Sequence, residues 1–203
     1  MKNKKHGGTA LMLAGLFLLA CAAALTFVNI RRQNEAGEEA IFLIRSISES
    51  IQSGESGEGQ PVAAETGEAA ETRSMPACDI DGDLYVGILR IPKLGLELPV
   101  MNDWSESKLQ LAPCRYTGSV YTADMVICAH NYSTHFGRLT ELSVGDEILF
   151  IGADGLLHTY TVADFETLAP TDVAYMTDGE WPLTLFTCTW GGRSRVTVRC
   201  EEQ

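Results

Sequence analysis

The chain has few basic residues and no closely spaced pair of cysteines. Its 15 Lys and Arg residues stand against 27 Asp and Glu residues, which gives a formal net charge of −12. No basic stripe is available to neutralise phosphates, and this argues against a nucleic-acid-binding protein. The six cysteines include no Cys-x-x-Cys pair, and the ligand spacing of a structural zinc site is absent. Residues 33–79 also contain few large apolar side chains.

Residues 1–32 have the pattern of a membrane or targeting segment. Three lysines precede a long apolar run, which the pair Arg31 and Arg32 closes. A helix of about 20 apolar residues crosses a bilayer, and lysines before the run favour an N-terminus inside the cell. We predict an uncleaved N-terminal transmembrane helix, with a cleaved signal peptide or a lipoprotein signal at Cys21 as alternatives. All three would export the rest of the chain.

Residues 33–79 differ in composition from the segments on either side. They are rich in Glu, Gly, Ser and Ala, and we predict an acidic linker that lifts the following domain off the membrane. Part of this linker has helical spacing, because Ile41, Ile44, Ile47 and Ile51 recur at intervals of three or four residues. A regulatory flap folded over the functional site is the alternative interpretation of the linker.

Residues 80–203 show the pattern of a domain built from short strands. Runs of mostly β-branched and apolar residues predict strands at 85–91, 96–101, 126–129, 147–151, 158–165, 183–187 and 195–200. Residues 105–111 begin with a serine in a helix N-cap pattern and are predicted as one short helix. Repeated short strands without helices between them predict an all-β domain, either a closed barrel or a sandwich.

Three residues with the chemistry of acyl transfer stand at the ends of predicted strands. Cys188 ends the apolar run 183–187, and Arg195 follows it by seven positions. His130 follows the apolar run 126–129 and precedes a polar loop. A thiolate attacks carbonyl carbons, an imidazole moves protons, and a guanidinium stabilises charge on oxygen. The alternatives are a buried structural thiol for Cys188 and a core or capping role for His130.

These residues resemble those of the sortases, the Gram-positive transpeptidases that attach proteins to the cell wall. Residues 184–188 match the family's Thr-Leu-x-Thr-Cys strand end, and Arg195 matches its arginine on the next strand. His130 and Asn131 match the family's histidine and the asparagine that usually follows it. Residues 87–92 resemble the first strand of the family, which ends in Ile-Pro.

The resemblance, which covers roughly residues 84–200, implies a closed eight-stranded β-barrel with one or two short helices. It leaves the sortase class open, because the cysteine motif resembles class B whereas the connection 168–181 is short for the helical insertion of that class. The resemblance makes this connection a wall of the groove for the sorting signal. No segment like the Asp-Pro-aromatic lid of the pilus-polymerising sortases stands before the barrel.

The resemblance also implies the roles of the site residues. Cys188 would be the nucleophile, His130 the general acid and base, and Arg195 the group that stabilises the oxyanion or orients the substrate. Thr187 and Asn131 are predicted to contact the substrate, and an ordinary strand position is the alternative for Thr187.

Other residues of the same types compete for these roles. His135 is the competing imidazole, and Arg193 and Arg199 are the competing guanidinium groups. We predict both arginines to be solvated surface charges, because neither begins a strand beside the end of the cysteine strand. A zinc site of Cys128, His130 and His135 is the metal alternative, but a fourth ligand at suitable spacing is missing.

We predict a membrane-anchored cysteine transpeptidase of the sortase type with its catalytic domain outside the cell. Its expected partners are secreted proteins with a C-terminal sorting signal, similar to the family's Leu-Pro-x-Thr-Gly pattern, and a cell-wall or pilin amine as acceptor. No cofactor is expected; a calcium site is known in some relatives, but the acidic residues here form no dense ligand loop. The alternatives are a cysteine peptidase that releases the acyl group to water and a non-catalytic surface-binding barrel.

Overall fold

The structure, a computed structural model, describes residues 5–53, 74–178 and 180–203. These residues divide into two units, the part of the chain up to Glu35 and Ala36–Gln203. The described α-helices are α1 (Lys5–Ser53), α2 (Glu106–Leu109) and α3 (Val173–Met176). The described strands are β1 (Cys78–Ile80), β2 (Asp83–Ile91), β3 (Leu96–Met101), β4 (Cys114–Thr117), β5 (Met125–Ala129), β6 (Glu147–Gly152), β7 (Leu157–Leu168), β8 (Leu183–Cys188) and β9 (Arg195–Glu202).

The first unit is the N-terminal part of helix α1. Its segment Leu11–Val28 has 18 residues with a mean hydropathy of 2.5, and none of this segment is buried inside the protein. Such a segment is long and apolar enough to cross a membrane. The predicted N-terminal apolar helix is therefore present, with the length and composition of a membrane-spanning helix.

Strands β2 to β9 of the second unit close into an eight-stranded barrel. The strand order is β1-β2-β3-β4-β5-β8-β9-β7-β6, and the ring closes because β6 pairs back onto β2. At this closure a side chain on Gly87 would collide with the carbonyl oxygen of Ile151, so only glycine permits the approach of the two strands. The predicted all-β barrel is confirmed, and β1 is an additional edge strand paired to β2.

The barrel has an inner and an outer apolar layer because successive side chains of a strand point to opposite faces. In β8, Leu183 and Leu185 belong to the inner cluster, whereas Phe186 belongs to the outer one. In β5, Ile127 and Ala129 face inward and Cys128 faces outward. The inner layer is the core, and the outer layer needs cover from elements outside the barrel.

Part of that cover comes from the end of helix α1. Ile47 is fully buried and belongs to the outer cluster, and Ile44 and Ile51 pack against it. This part of the predicted linker therefore packs against the barrel and is not a solvated spacer. Its apolar residues recur at helical spacing and form one stripe, although most residues of the segment are polar. Helix α1 also runs across the predicted boundary at residue 33. The absence of periodicity in residues 54–74 predicts a flexible stretch, and of these residues 54–73 lie outside the described part of the chain.

The predicted short helix and all seven predicted strands are present. Helix α2 begins after Ser105, whose hydroxyl accepts a hydrogen bond of 3.2 Å from the amide of Lys108, as the cap pattern predicts. The short strands β1 and β4 had not been predicted, because three or four residues of mixed polarity show no clear alternation.

Candidate active site

Cys188 is the last residue of β8 and lies on the outer face of the barrel. Outward-facing Phe186 precedes it by two positions, so the alternation of the strand turns the thiol to the same side. Cys188 is partly exposed, whereas Phe186 is buried. The thiol therefore stands where the apolar face of the strand opens to solvent, as predicted from its place at the end of an apolar run.

His130 directly follows β5, which is the neighbour of β8 in the sheet. The two strands are parallel, with Cys128 opposite Phe186 and Ala129 opposite Thr187. Continuing this register by one residue places His130 beside Cys188 on the outer face. Neighbouring strands lie about 4.8 Å apart, so the imidazole and the thiol belong to adjacent positions of one sheet surface.

The loop after His130 holds it at this position. The amide of Phe136 donates to the carbonyl of His130 at 3.2 Å, and the amide of Gly137 donates to the carbonyl of Tyr132 at 2.9 Å. A side chain on Gly137 would collide with the carbonyls of Asn131 and Tyr132, so the loop folds back on itself only with glycine there. Phe136 is fully buried and anchors the loop, while His130 stays partly exposed.

Arg195 begins β9 and is the direct cross-strand partner of Cys188. A tight turn connects β8 to β9. In this turn the amide of Gly192 donates to the carbonyl of Thr189 at 2.8 Å, and the amide of Thr189 donates to the carbonyl of Ser194 at 2.9 Å. Gly191 and Gly192 have φ values of 84° and 72°, which side chains rarely adopt. Side chains of directly opposed residues have Cβ atoms about 5 Å apart, so the guanidinium and the thiol share one face.

The structure thus places His130, Cys188 and Arg195 on three adjacent strands, β5, β8 and β9, at one end and on one face. The guanidinium of Arg195 is turned toward its own loop, and its Nη1 donates to the carbonyls of Gly192 and Ser194 at 3.2 Å each. A nucleophile, a base and a fixed positive charge in this arrangement are the components of acyl-transfer chemistry.

The environment of His130 favours a neutral imidazole at neutral pH. Burial lowers the pKa of His130 below its ordinary value, and the negative charge of Glu106 in α2 acts in the opposite direction. A neutral imidazole has a nitrogen lone pair that can accept a proton from a thiol. His130 is therefore equipped to act first as a base.

His135, the competing imidazole, is in a different environment. Its side chain is fully buried, and neither ring nitrogen has a hydrogen-bond partner among the described residues. Its ring packs against Tyr132 with centroids 5.6 Å apart, and Tyr132 in turn packs against His130 at 5.0 Å. Burial, together with the nearby His130, lowers the pKa of His135 to about 4. His135 supports the loop and has no access to solvent for proton transfer.

The burial of His135 predicts a loss of stability in acid. Its pKa is about 4 in the folded protein and about 6.5 when unfolded. The unfolded state therefore binds more protons between these values, and folding stability falls as pH drops through that window. We expect the free energy of unfolding to fall by about 2 kcal/mol from pH 7 to pH 5 through this group. Urea unfolding of the wild type and of His135→Leu at both pH values would measure it, and an equal pH dependence in the two proteins would contradict the prediction.

Thr187 and Asn131 were predicted to contact the substrate. The hydroxyl of Thr187 is buried and donates to the carbonyl of Ala129 at 2.8 Å, so the side chain points away from the face that carries Cys188. This bond holds together the ends of β5 and β8, directly before His130 and Cys188. Asn131 is partly exposed in the loop after His130. Substrate contact stays a prediction for both residues.

The prediction of a solvated Arg199 is wrong. The residue lies on the outer face of β9, but only 2% of it is exposed, and its Nε donates to a carboxylate oxygen of Glu166 at 2.6 Å. Arg193 is exposed in the loop before β9, as predicted. The sequence alternation places Arg195 and Arg199 on the same face of β9. Helix α3 packs over the end of that face that carries Arg199, so Arg199 is buried and Arg195 stays partly exposed.

An aromatic row beside the thiol had not been predicted from the sequence. The ring of Trp104 stacks on Tyr116 with centroids 5.4 Å apart, and Tyr116 meets the edge of Phe186 at the same distance. Phe186 lies two residues before Cys188, and Trp104 is 46% exposed. The row runs from the surface to the strand of the thiol. Its members are far apart in the sequence, and no local pattern signals their contact.

Among the described residues, no group of three or more His, Cys, Asp or Glu side chains is arranged to hold a metal ion. Cys128 and His130, two members of the zinc alternative, lie close together on the outer face, and the buried thiol of Cys128 is near the carbonyl of Cys114. Burial raises the pKa of the Cys128 thiol, which disfavours the thiolate that zinc requires.

The chain is similar in sequence and in fold to a known protein family. The family model described as the sortase domain matches residues 89–203. Among solved structures, sortase C1 from Streptococcus suis is 26% identical with a TM-score of 0.51, and the match covers 59% of this chain and 73% of that one. Sortase C1 from Streptococcus agalactiae is also 26% identical, with a TM-score of 0.52 over 62% of this chain and 70% of that one.

Sortase C from Streptococcus pneumoniae has the same fold at 18% identity, with a TM-score of 0.53 over 85% of this chain and 89% of that one. No curated protein matches the chain. The match to the family model covers more than half of the sequence, and it includes the strands that carry Cys188 and Arg195 and the residue His130. The chain therefore belongs to the sortases, the family of cysteine transpeptidases.

Proposed function

We propose that this sortase cleaves a C-terminal sorting signal through a thioester at Cys188 and transfers the acyl group to an amine of the cell wall or of a pilin. The observation that carries the proposal is the placement of His130, Cys188 and Arg195 on one exposed end of three adjacent strands. Of the thiols among the described residues 74–203, Cys188 alone is partly exposed; the four others, at positions 78, 114, 128 and 200, are buried.

In the first half of the reaction the Cys188 thiol gives its proton to His130 and attacks the carbonyl carbon of the scissile peptide bond. A carbon–sulfur bond forms, and the carbonyl oxygen takes up negative charge in the tetrahedral intermediate. Collapse of the intermediate breaks the carbon–nitrogen bond, and the imidazolium of His130 returns the proton to the leaving amine. The products are a thioester on Cys188 and the released C-terminal peptide.

In the second half an acceptor amine attacks the thioester carbonyl. His130 takes a proton from the attacking nitrogen, a new amide bond forms, and the sulfur of Cys188 leaves as a thiolate. The proton on His130 then restores the thiol. Water can replace the amine at this step, which is the peptidase alternative, and the same residues would serve it.

Arg195 stabilises the oxyanion or binds the carbonyl of the substrate. A guanidinium has five N–H donors in a fixed plane, and both observed bonds of Arg195 leave from its Nη1. These bonds to the loop carbonyls hold Nη1, and they leave the Nε and Nη2 donors available to a substrate oxygen. Fixed donors of this kind stabilise charge without reorganisation during the reaction.

Substituting Arg195 by lysine should therefore lower turnover strongly without unfolding the protein. Lysine keeps the charge but loses the planar set of donors, and loss of one oxyanion donor costs roughly 10²–10³ in rate. The measurement is turnover of a panel of Leu-Pro-x-Thr-Gly-type peptides, with circular dichroism as the test of folding. Arg193→Lys is the matched control, because Arg193 lies exposed in the adjoining loop. Normal turnover in Arg195→Lys together with a loss in Arg193→Lys would move the role to Arg193.

We also propose the orientation of the chain in the cell membrane. Helix α1 would span the membrane once, with the lysines before it on the cytoplasmic side and the barrel outside the cell. An exported barrel would meet secreted proteins with sorting signals and cell-wall amines on the same side of the membrane. Cytoplasmic location of the C-terminus in a protease-protection experiment would contradict this orientation.

The distribution of products tests the proposed function. The full chain in detergent micelles would be incubated with the same peptide panel, with and without triglycine as a small amine acceptor. Transfer predicts a new amide product that grows with acceptor concentration, and a thioester on Cys188 detectable by mass spectrometry. Hydrolysis that is unchanged by acceptor would support the peptidase, and the absence of any thioester would support the non-catalytic barrel.

A further inference from the structure

The connection between β7 and β8 lies against the outer face of the barrel, close to the thiol strand. Met176, at the end of α3, is buried and belongs to the same outer cluster as Phe186 and Cys128. Leu168, at the end of β7, packs against this cluster, and Tyr175 is 65% exposed. The connection begins at Leu168, which pairs with Arg195, the cross-strand partner of Cys188, so the connection starts at the end of the sheet that carries the nucleophile.

A short helix such as α3 cannot hold this position alone. It has four residues, and isolated helices of this length are unstable in water because the first turn costs more conformational entropy than its hydrogen bonds return. The last carbonyls of any helix also lack partners within the helix.

The guanidinium of Arg199 supplies those partners. Its Nη2 donates to the carbonyl of Tyr175, and its Nη1 is 3.4 Å from the carbonyl of Met176 and 3.0 Å from the hydroxyl of Thr184. Its Nε donates to Glu166 at 2.6 Å. One buried side chain of β9 therefore joins β7, β8 and the C-terminal end of α3.

Arginine is suited to this position and lysine is not. A planar guanidinium can bond a carboxylate, a hydroxyl and two carbonyls at once, whereas an ammonium is a point donor with a flexible stem. The arrangement is also sensitive to loss, because removing the partly exposed Glu166 would leave the buried charge of Arg199 uncompensated. In the pair of Arg90 and Glu97, 2.7 Å apart on β2 and β3, the arginine side chain is 44% exposed, so solvent screens its charge and this sensitivity is absent.

We propose that Arg199 is a positioning residue that holds the β7–β8 connection as a wall of the peptide groove and thereby sets the affinity for the peptide substrate. The inference rests on the proposed function, since it assigns a wall to the groove of that reaction. Arg199 lies four residues beyond Arg195 on the same face and does not touch the reacting atoms. Its loss should release the wall while leaving Cys188 and His130 in place.

The test compares Arg199→Lys and Arg199→Met with the wild-type full chain in detergent micelles. Loss of a wall that binds substrate and transition state equally raises KM and leaves kcat unchanged. We expect KM for Leu-Pro-x-Thr-Gly-type peptides to rise about tenfold or more, with kcat within about threefold of the wild type. Iodoacetamide is a small molecule that reaches a thiol without binding in the peptide groove. The rate at which it alkylates Cys188 should therefore stay within about twofold of the wild-type rate.

Two further variants keep the result interpretable. The glutamine in Glu166→Gln has the size of the glutamate and keeps an oxygen that can accept the bond from Arg199. This variant should therefore fold even if Arg199→Met does not, and its KM should also be higher than that of the wild type. Arg90→Met removes a comparable ion pair between strands away from the site and should leave KM unchanged. Amide hydrogen exchange should accelerate in residues 169–178 of the Arg199 and Glu166 variants and stay normal in β8.

The outcomes separate this inference from the proposed function. Normal KM in folded Arg199→Lys and Glu166→Gln would overturn it, and so would equal losses of kcat and alkylation rate, which would indicate general destabilisation. Unchanged hydrogen exchange in residues 169–178 would also overturn it. If the wild type turned over no peptide, the proposed function would fail, and the exchange experiment would still decide whether Arg199 anchors the connection.

Discussion

Replacing Cys188 by alanine should abolish both transfer and hydrolysis while the barrel remains folded. In the proposed mechanism the sulfur of Cys188 forms the covalent intermediate, and every other thiol among the described residues 74–203 is buried. The side chain is small and partly exposed at the end of β8, so its truncation leaves little unfilled space in the core. Activity should fall to the background of the assay, and mass spectrometry should detect no acyl-enzyme with any peptide of the panel.

Cys128→Ala is the matched control for this experiment. Cys128 lies on the same face of the adjacent strand, but it is buried, and burial raises the pKa of its thiol. A protonated and inaccessible thiol is a poor nucleophile, so the variant should still form the thioester. An acyl-enzyme in Cys188→Ala, or its absence in folded Cys128→Ala, would show that the nucleophile has been assigned to the wrong residue.

Replacing His130 by alanine should lower turnover by roughly 10²–10⁴-fold, the usual contribution of a positioned acid–base group. The pKa of His130 is lowered by burial, so the wild-type imidazole is available as a base at neutral pH. The loss should therefore be large at pH 7 and should persist at higher pH, because the variant has no group that takes the thiol proton and returns a proton to the leaving amine. Turnover of wild type and variant measured from pH 6 to pH 9 would show this.

His158→Gln controls for the general effect of removing a histidine. His158 is on β7, where its Nδ1 lies 3.4 Å from a carboxylate oxygen of Glu202, and it has no part in the proposed site. Its substitution should leave turnover nearly unchanged. If His135→Leu, still folded, lost more activity than His130→Ala, then the buried imidazole would be the functional one and the proposed proton transfer would be wrong.

The local patterns were sufficient for much of the barrel. Strand β9 alternates polar and apolar residues, and its apolar positions Val196, Val198 and Cys200 face the core of the barrel, as the alternation predicts. Ser105 marked the start of α2 because a hydroxyl before a helix satisfies an amide that the helix itself cannot. Strand β4 was missed because its four residues are stabilised by pairing with β5 and β3, and not by any local preference.

The mostly polar composition of residues 33–79 concealed the buried apolar stripe at the end of helix α1. Ile47 is buried against the outer layer of the barrel although its neighbours in sequence are mostly polar. The sequence shows the helical spacing of these isoleucines, but it does not reveal which surface the isoleucine stripe packs against. The outer layer of β2, β3, β4, β5 and β8 exists only after the barrel has closed.

The sequence by itself determined which chemistry this protein carries. A cysteine and a histidine at the ends of apolar runs, and an arginine seven residues after the cysteine, are local signals, because a strand end is where an apolar pattern stops. The tertiary structure alone decided which charged and polar groups lie beside the thiol and which are buried elsewhere. Arg195 and Arg199 share a strand and a face, but the cover of α3 buries the second and leaves the first beside the thiol. Burial and charge pairing depend on segments distant in sequence, which is why no local pattern distinguishes these two residues.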